Sequence, residues 1–261
     1  MSIDQIVLIV GQIATWITVV IVFLTLREME KQRRESYKPE LVVPTLDLFG
    51  YGNKKGKLII PIEWNKEILK DDSLPHDEQD KWFNPTISPC LTIYNLGLGA
   101  ASNINIVWNY DIDSTIEVIT DYCYKNSIPI IIKTDPTWGL QINVDETFNL
   151  TTTSHPPFDT NFQIAFVPPI SISPKGTDIH LPNVYKIIVS LLIYTLANQD
   201  KGLDVINMMI PPLKLTINYE DIGNRKYRKV FDVKLSIHGL IHPFKSGHVT
   251  FLGKIESTNV K

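Results

Sequence analysis

Only two cysteines, Cys90 and Cys123, occur in 261 residues. Two thiols are too few for a disulfide framework, and they suit a reducing compartment as buried groups. A surplus of one charge is missing as well. Lys and Arg number 25 against 28 Asp and Glu, a net of −3, which argues against wholesale nucleic-acid wrapping and leaves room for a local basic patch. No P-loop, no G-x-S-x-G elbow, no H-E-x-x-H and no kinase-type signature is present. Ser, His and Asp occur at no spacing that predicts a triad. No internal period is evident. These absences remove the usual grounds for an enzyme, and neither a cofactor nor a metal is expected.

Three weaker patterns fail on context. His238 and His242 have the i, i+4 spacing of helical metal ligands, but they lie at a strand end before Pro243, where that spacing loses its meaning. Gly97-Leu98-Gly99-Ala100 is glycine-rich, but a strand follows it, whereas a phosphate cradle needs a helix there. Asp71, Asp72, Asp77, Glu78 and Asp80 read as a solvated acidic loop.

What is present begins with one long apolar run. From Gln5 to Leu26 there are 22 positions without a charge, and a bilayer core needs about 20 helical residues. The start, Met1-Ser2-Ile3-Asp4, is acidic, and Ala14 lies mid-run with no small-x-small site, which argues against a cleaved signal. Asp4 is alone on the N-side, while Arg27, Lys31, Arg33, Arg34 and Lys38 follow the run. The positive-inside rule therefore expects a single-pass protein of a bacterial inner membrane, its N-terminus outside and its C-terminal domain cytoplasmic.

On a helical wheel Gln5, Gly11, Gln12, Thr15, Thr18 and Thr25 share an arc of about 160°. Ile6, Ile9, Val10, Ile13, Trp16, Ile17, Val20, Ile21 and Leu24 fill the other side. A sorted face of this kind predicts packing against another helix, or against water in a pore. Chance sorting is the alternative, since threonine and glycine are ordinary in membrane helices. Gln5, Gln12, Thr15 and Thr18 are the candidate pore or helix-packing residues. Residues 27–39 read as a charged membrane-proximal helix or stalk ended by Pro39, with head-group binding by its arginines a secondary consequence.

Residues 40–255 read as a cytosolic, mainly-β, sandwich-like domain with one packed helix, and 256–261 as a tail. Strands are expected at 41–49, 58–64, 90–95, 103–111, 128–134, 148–152 and 161–169, with a turn over 50–57 and a long loop over 65–89. The joint Asn95–Ala101 predicts a tight crossing or a bulge. Residues 184–196 fit a helix by length and a β-branched strand by composition. A hairpin with a Gly-Asn turn is expected around Ile222–Lys226. Its cations, Arg225, Lys226, Arg228 and Lys229, interleave with Tyr227 and are a candidate phosphate or ligand site, with a solvated charged turn as the plainer reading. If the strand alternates, Arg228 and Lys229 point to opposite faces. Lys54, Lys55 and Lys57 form a second basic turn of the same kind.

A span with a basic exit, then Pro39-Glu40-Leu41, then Asn95-x-Gly97-x-Gly99-x-Ala101-x-Asn103-Ile104, resembles a broad group of bacterial single-span membrane proteins with a cytosolic β-domain. Tyr219-Glu220-Asp221-Ile222-Gly223 fits the same pattern one residue out of step. The build is similar to phage-defence membrane effectors, including the Hailong-type effector. That resemblance implies an oligomeric ion channel controlled by a nucleotide-derived oligomer from a partner nucleotidyltransferase. No ligand residue carries over, because no site motif matches. The expected function is thus an oligomeric membrane effector in contact with lipid, and enclosing water takes about four or more copies. A membrane-anchored adaptor that binds protein through its β-domain is the alternative.

Overall fold

The computed structural model describes residues 3–55, 58–65, 90–111, 113–127, 130–135, 139–144, 148–152, 160–197, 199, 201–240 and 249–260. Helix α1 (Ile3–Ser36) runs without a break from the apolar segment into the charged stalk. Its 34 residues measure about 51 Å at 1.5 Å each, more than a hydrocarbon core requires. From Gly11 to Ser36 every side chain is exposed. This helix is long and apolar enough to cross a membrane.

The rest is mainly β, as the sequence predicts. A seven-stranded sheet has the order β3-β2-β13-β12-β11-β5-β9. Its members are β2 (Leu46–Lys55), β3 (Leu58–Asn65), β5 (Ala101–Tyr110), β9 (Asn161–Val167), β11 (Leu213–Glu220), β12 (Lys226–Leu240) and β13 (Val249–Val260). All neighbours in it are antiparallel. Alternation explains the strands. Leu213, Leu215, Ile217 and Tyr219 of β11, and Phe231, Val233, Leu235 and Ile237 of β12, are buried on one face. A smaller sheet joins β1 (Leu41–Val42), β4 (Cys90–Asn95) and β10 (Thr177–His180). A third joins β6 (Ile130–Asp135), β7 (Gly139–Val144) and β8 (Phe148–Thr152).

Helix α2 (Asp113–Lys125) buries Thr115, Ile119 and Cys123, spaced by four as one helix face requires. Helix α3 (Asn183–Ala197) is buried on nearly all sides. Trp64 donates to Ser190 Oγ at 2.8 Å, and Tyr185 donates to the Pro211 carbonyl at 2.8 Å, which ties α3 to the large sheet's edge and to the approach to β11. Helix α4 (Leu203–Met209) lies against β12, where Asn207 bonds both the amide and the carbonyl of Ile237. One core, shared by the large sheet, β4, β10 and α3, results.

Several expectations change. Residues 184–196 form a helix, and its burial all round explains the ambiguity, since no polar stripe marks its period. The turn expected over 50–57 is largely strand, because β2 continues through Lys55. Residues 256–260 belong to β13 rather than to a tail. Helices α2 and α4, and strands β7, β10 and β13, lie outside the elements that the sequence predicts. Of the loop expected over 65–89, Asn65 closes β3 and the rest lies outside the described residues. The bulge lies not in the joint Asn95–Ala101 but just inside β5, where Asn103 has φ +48° and the pairing with β11 shifts between Asn218 and Glu220.

Candidate functional site at the helix exit

The place where α1 enters the β-domain concentrates the polar chemistry of the described residues. The helix closes with Tyr37 N–H donating to the Arg33 carbonyl at 3.1 Å and Lys38 N–H to the Glu35 carbonyl at 3.2 Å. Pro39 prevents continuation. The segment Tyr37–Leu41 is then held from two sides.

The Asn95 loop holds one side. Asn95 is 1% exposed and uses its whole amide. Its Oδ1 accepts from the Glu40 and Gly97 amides at 3.0 Å each. Its Nδ2 donates to the Gly99 carbonyl at 2.7 Å and the Val167 carbonyl at 3.3 Å. The Leu96 amide returns a bond to the Glu40 carbonyl at 2.8 Å. A side chain on Gly97 would strike the Lys38 carbonyl, and one on Gly99 the Tyr37 carbonyl. The glycines of the N-x-G-x-G pattern therefore serve close backbone approach to the helix exit.

The β11–β12 hairpin holds the other side. Tyr219 donates to the Pro39 carbonyl at 3.4 Å. Lys229, 13% exposed, pairs with the Glu40 carboxylate and donates to the Leu41 carbonyl at 2.9 Å. Arg225 Nη2 reaches the Arg34 carbonyl at 3.3 Å and so helps cap the helix. The Lys38 ammonium stands 5.5 Å over the Tyr227 ring, which stacks on Tyr219 at 5.3 Å.

Asp221 organises that hairpin. It is 1% exposed. Oδ1 accepts from the Gly223 amide at 2.8 Å and the Arg225 amide at 3.0 Å. Oδ2 accepts from Arg225 Nε at 2.7 Å and the Tyr227 hydroxyl at 3.1 Å. Asn224 turns the chain at φ +58°, as an Asn in a Gly-Asn turn can. Burial pushes the Asp221 carboxyl up, but the Arg225 and Gly223 amides, the Tyr227 hydroxyl and the Arg225 guanidinium outweigh it and hold it below 3.8. Burial, with Glu40 and Tyr227 nearby, pushes the Tyr219 hydroxyl up to about 12, so it stays a donor at neutral pH.

The four cations of the hairpin do not converge. Arg225 is committed to Asp221 and the helix end, and Lys229 to Glu40 and Leu41. Lys226 and Arg228 are exposed, and Arg228 alternates with the half-buried Tyr227 and Lys229. The basic turn over 54–57 has no described side chains. In the apolar half of α1, Thr15, Thr18 and Thr25 donate to the carbonyls four residues back, at 2.9, 2.9 and 2.8 Å. Gln12 is exposed and makes no hydrogen bond to any described residue. The side chain of Gln5 lies outside the described residues.

Two recesses flank the joint. One, of about 620 Å³, lies between Arg33, Arg34 and Tyr37 of the helix end and Asp221, Gly223 and Arg225 of the hairpin. The other, of about 800 Å³, climbs the helix from Arg34 to Leu24 and shares Glu30, Arg34 and Arg225 with the first. Glu28, Glu35, Arg27 and Lys31 also line it. Among the described residues no set of His, Cys, Asp or Glu could hold a metal, and His238 meets only Ser236 Oγ, at 3.2 Å. His242 lies outside the described residues.

The roles of Asn95 and Asp221 were not assigned from sequence, although both stand inside the quoted patterns. A buried Asn before two glycines, and an Asp two residues before Gly and four before Arg, were the available signals. No family model, no curated protein and no solved structure matches this chain.

Proposed function

We propose that the chain is a single-span membrane effector that works as a homo-oligomer, with its β-domain in the cytosol and its helices meeting through the Gly/Gln/Thr face. The observation that carries this reading is the amide of Gln12, which has no partner among the described residues. Gln12 lies about 5 Å along the axis from the middle of the uncharged run. An amide left unpaired in hydrocarbon costs several kcal/mol, so it needs a partner from another chain or from water.

The doubly held exit supports the second half of the reading. A change in how β-domains assemble passes directly to the helices, because the connecting segment has little freedom to absorb it. In this reading the β-domain is the sensor and assembly module, and the helices form a ligand-controlled conduction path. Antiviral defence and a nucleotide-derived or oligonucleotide ligand follow from the resemblance to phage-defence effectors. A ligand can act only by binding the open and closed assemblies with different affinity.

The test is conductance of the full chain in liposomes. Gln12→Leu is expected to abolish it while expression and membrane insertion persist. Unchanged conductance removes the pore. The adaptor reading is favoured by one observation: the threonine hydroxyls are already bonded within the helix and demand no partner. Replacing residues 1–26 by a polyleucine span separates the two, since an adaptor survives that exchange and a channel does not.

A further inference from the structure

We infer that the recess between the first turns of the stalk and the β11–β12 hairpin is a docking site for the head group of an anionic phospholipid. The inference rests on the membrane reading above. It begins with the placement of charge. Arg27, Lys31 and Arg34 fall within about 60° of arc on α1 and line this recess with Leu24, while Arg225 closes it from the hairpin; Glu28, Glu30 and Glu35 line it as well, so its four cations exceed its carboxylates by one. Arg34 is paired with Glu30, and Arg225 with Asp221. Arg27 and Lys31 have no ion-pair partner among the described residues.

Depth favours lipid. Arg27 directly follows the last uncharged residue of the run, Leu26, and Lys31 lies about 6 Å further along the axis. The head-group layer on each side of a bilayer is about 5–7 Å thick. Both unpaired cations therefore sit where phosphates are, and Leu24 marks the beginning of the acyl region.

Direction favours lipid as well. The basic stripe continues the side of α1 that carries Ile13, Trp16, Val20 and Leu24, away from Gly11, Thr15 and Thr18, with Gln12 at the border between the two sides. When the Gly/Gln/Thr face packs inward, the apolar side meets acyl chains. A lipid lying along Trp16, Val20 and Leu24 then carries its phosphate to Arg27 and Lys31. Bound there, the head group touches both the helix and the hairpin that grips the helix exit, so membrane composition acts on the joint itself.

The test uses the full-length protein in nanodiscs of phosphatidylcholine and phosphatidylglycerol in equal amounts, with retained lipids counted by native mass spectrometry. Phosphatidylglycerol is expected to be enriched. Arg27→Gln and Lys31→Gln should each reduce the enrichment about fivefold, and the double variant about 25-fold, since a cation near the surface contributes about that factor. Both positions are exposed and glutamine is a good helix former, so the fold is retained. Lys133→Gln with Lys201→Gln, two exposed cations of the β-domain, removes the same charge and should change nothing. No enrichment, full enrichment in the Arg27/Lys31 double variant, or an equal loss in the control each overturns the inference. Displacement by inorganic phosphate, but not by chloride at equal ionic strength, assigns the site to a soluble phosphate and overturns the lipid. A chain that stays out of the bilayer overturns the membrane reading with it, whereas insertion without lipid preference overturns this inference alone.

Discussion

The two halves of α1 differ in how they meet the rest of the chain. From Gly11 to Leu26 every side chain is exposed, and a Cβ added at Gly11 would find no atom of the described residues within 4 Å beyond the helix's own backbone. Ten residues further on, the chain passes through a joint so tight that Gly97 and Gly99 cannot carry a side chain. A tether needs neither feature. In the membrane reading proposed above, a helix with an unmet polar group, rigidly held at its exit, is suited to exchanging one set of partners for another when the β-domain moves.

The largest expected effect lies in the joint. Gly99→Val places atoms into the Tyr37 carbonyl, which is backbone and cannot swing aside. Overpacking of this kind costs about 3 kcal/mol, and in a chain of this size that lowers Tm by roughly 6–12 °C. The measurement is thermal unfolding of the detergent-solubilised full chain. Gly11→Val should leave that transition in place. Equal losses in the two variants would break the comparison.

Asp221→Asn comes next. The substitution keeps the shape but removes the charge that accepts four bonds. Arg225 is 43% exposed, so water screens part of the loss, and about 2–3 kcal/mol is expected. The sign of the pH dependence follows from the depressed carboxyl. Its contribution is complete above the ordinary value of 3.8 and is lost as pH falls through the lower folded-state value. Acid melts of the native chain should therefore show stability falling below about pH 3.8, with a flatter profile in Asp221→Asn. Parallel profiles would remove Asp221 from its central place in the joint.

How much of this the sequence carried depends on whether one segment held the whole signal. The long apolar helix was legible because 22 uncharged positions form a local pattern, and the β11–β12 hairpin because alternation and the Gly-Asn turn do. Helix α3 was legible only by length, since burial on all sides erased its period. Helix α2 was missed because Thr115, Ile119 and Cys123 make a narrow stripe among Thr, Asp and Tyr. The candidate site was the least legible part. Asn95, Tyr219 and Lys229 act on residues 39–41, more than 50 positions away, and no local pattern encodes that proximity. Charge alone pointed to the right hairpin but gave its cations the wrong emphasis, because two of the four are spent holding the helix exit.

A smaller effect tests the turn. Asn224 stands at φ +58°, where an alanine is strained by about 1 kcal/mol. Asn224→Ala should lose that amount and Asn224→Gly almost none, by the same thermal measurement. If alanine costs nothing, the hairpin adjusts freely and the grip on the helix exit is looser than its bonds imply.

The smallest effect returns to the bilayer and sharpens the difference between Gln12 and its neighbours. Thr18 already bonds the Ala14 carbonyl, so Thr18→Val removes no unmet donor. Its cost to helix association should stay below about 0.6 kcal/mol, the average for polar side chains between membrane helices. Gln12 has no such internal partner, and Gln12→Leu should cost about 1–2 kcal/mol. Energy transfer between labelled chains, titrated against detergent, reads both. Equal small losses would mean that the polar face is only a pattern. A large loss at Gln12 alone would locate the interhelical contact at one amide, with the threonines merely lining its surroundings.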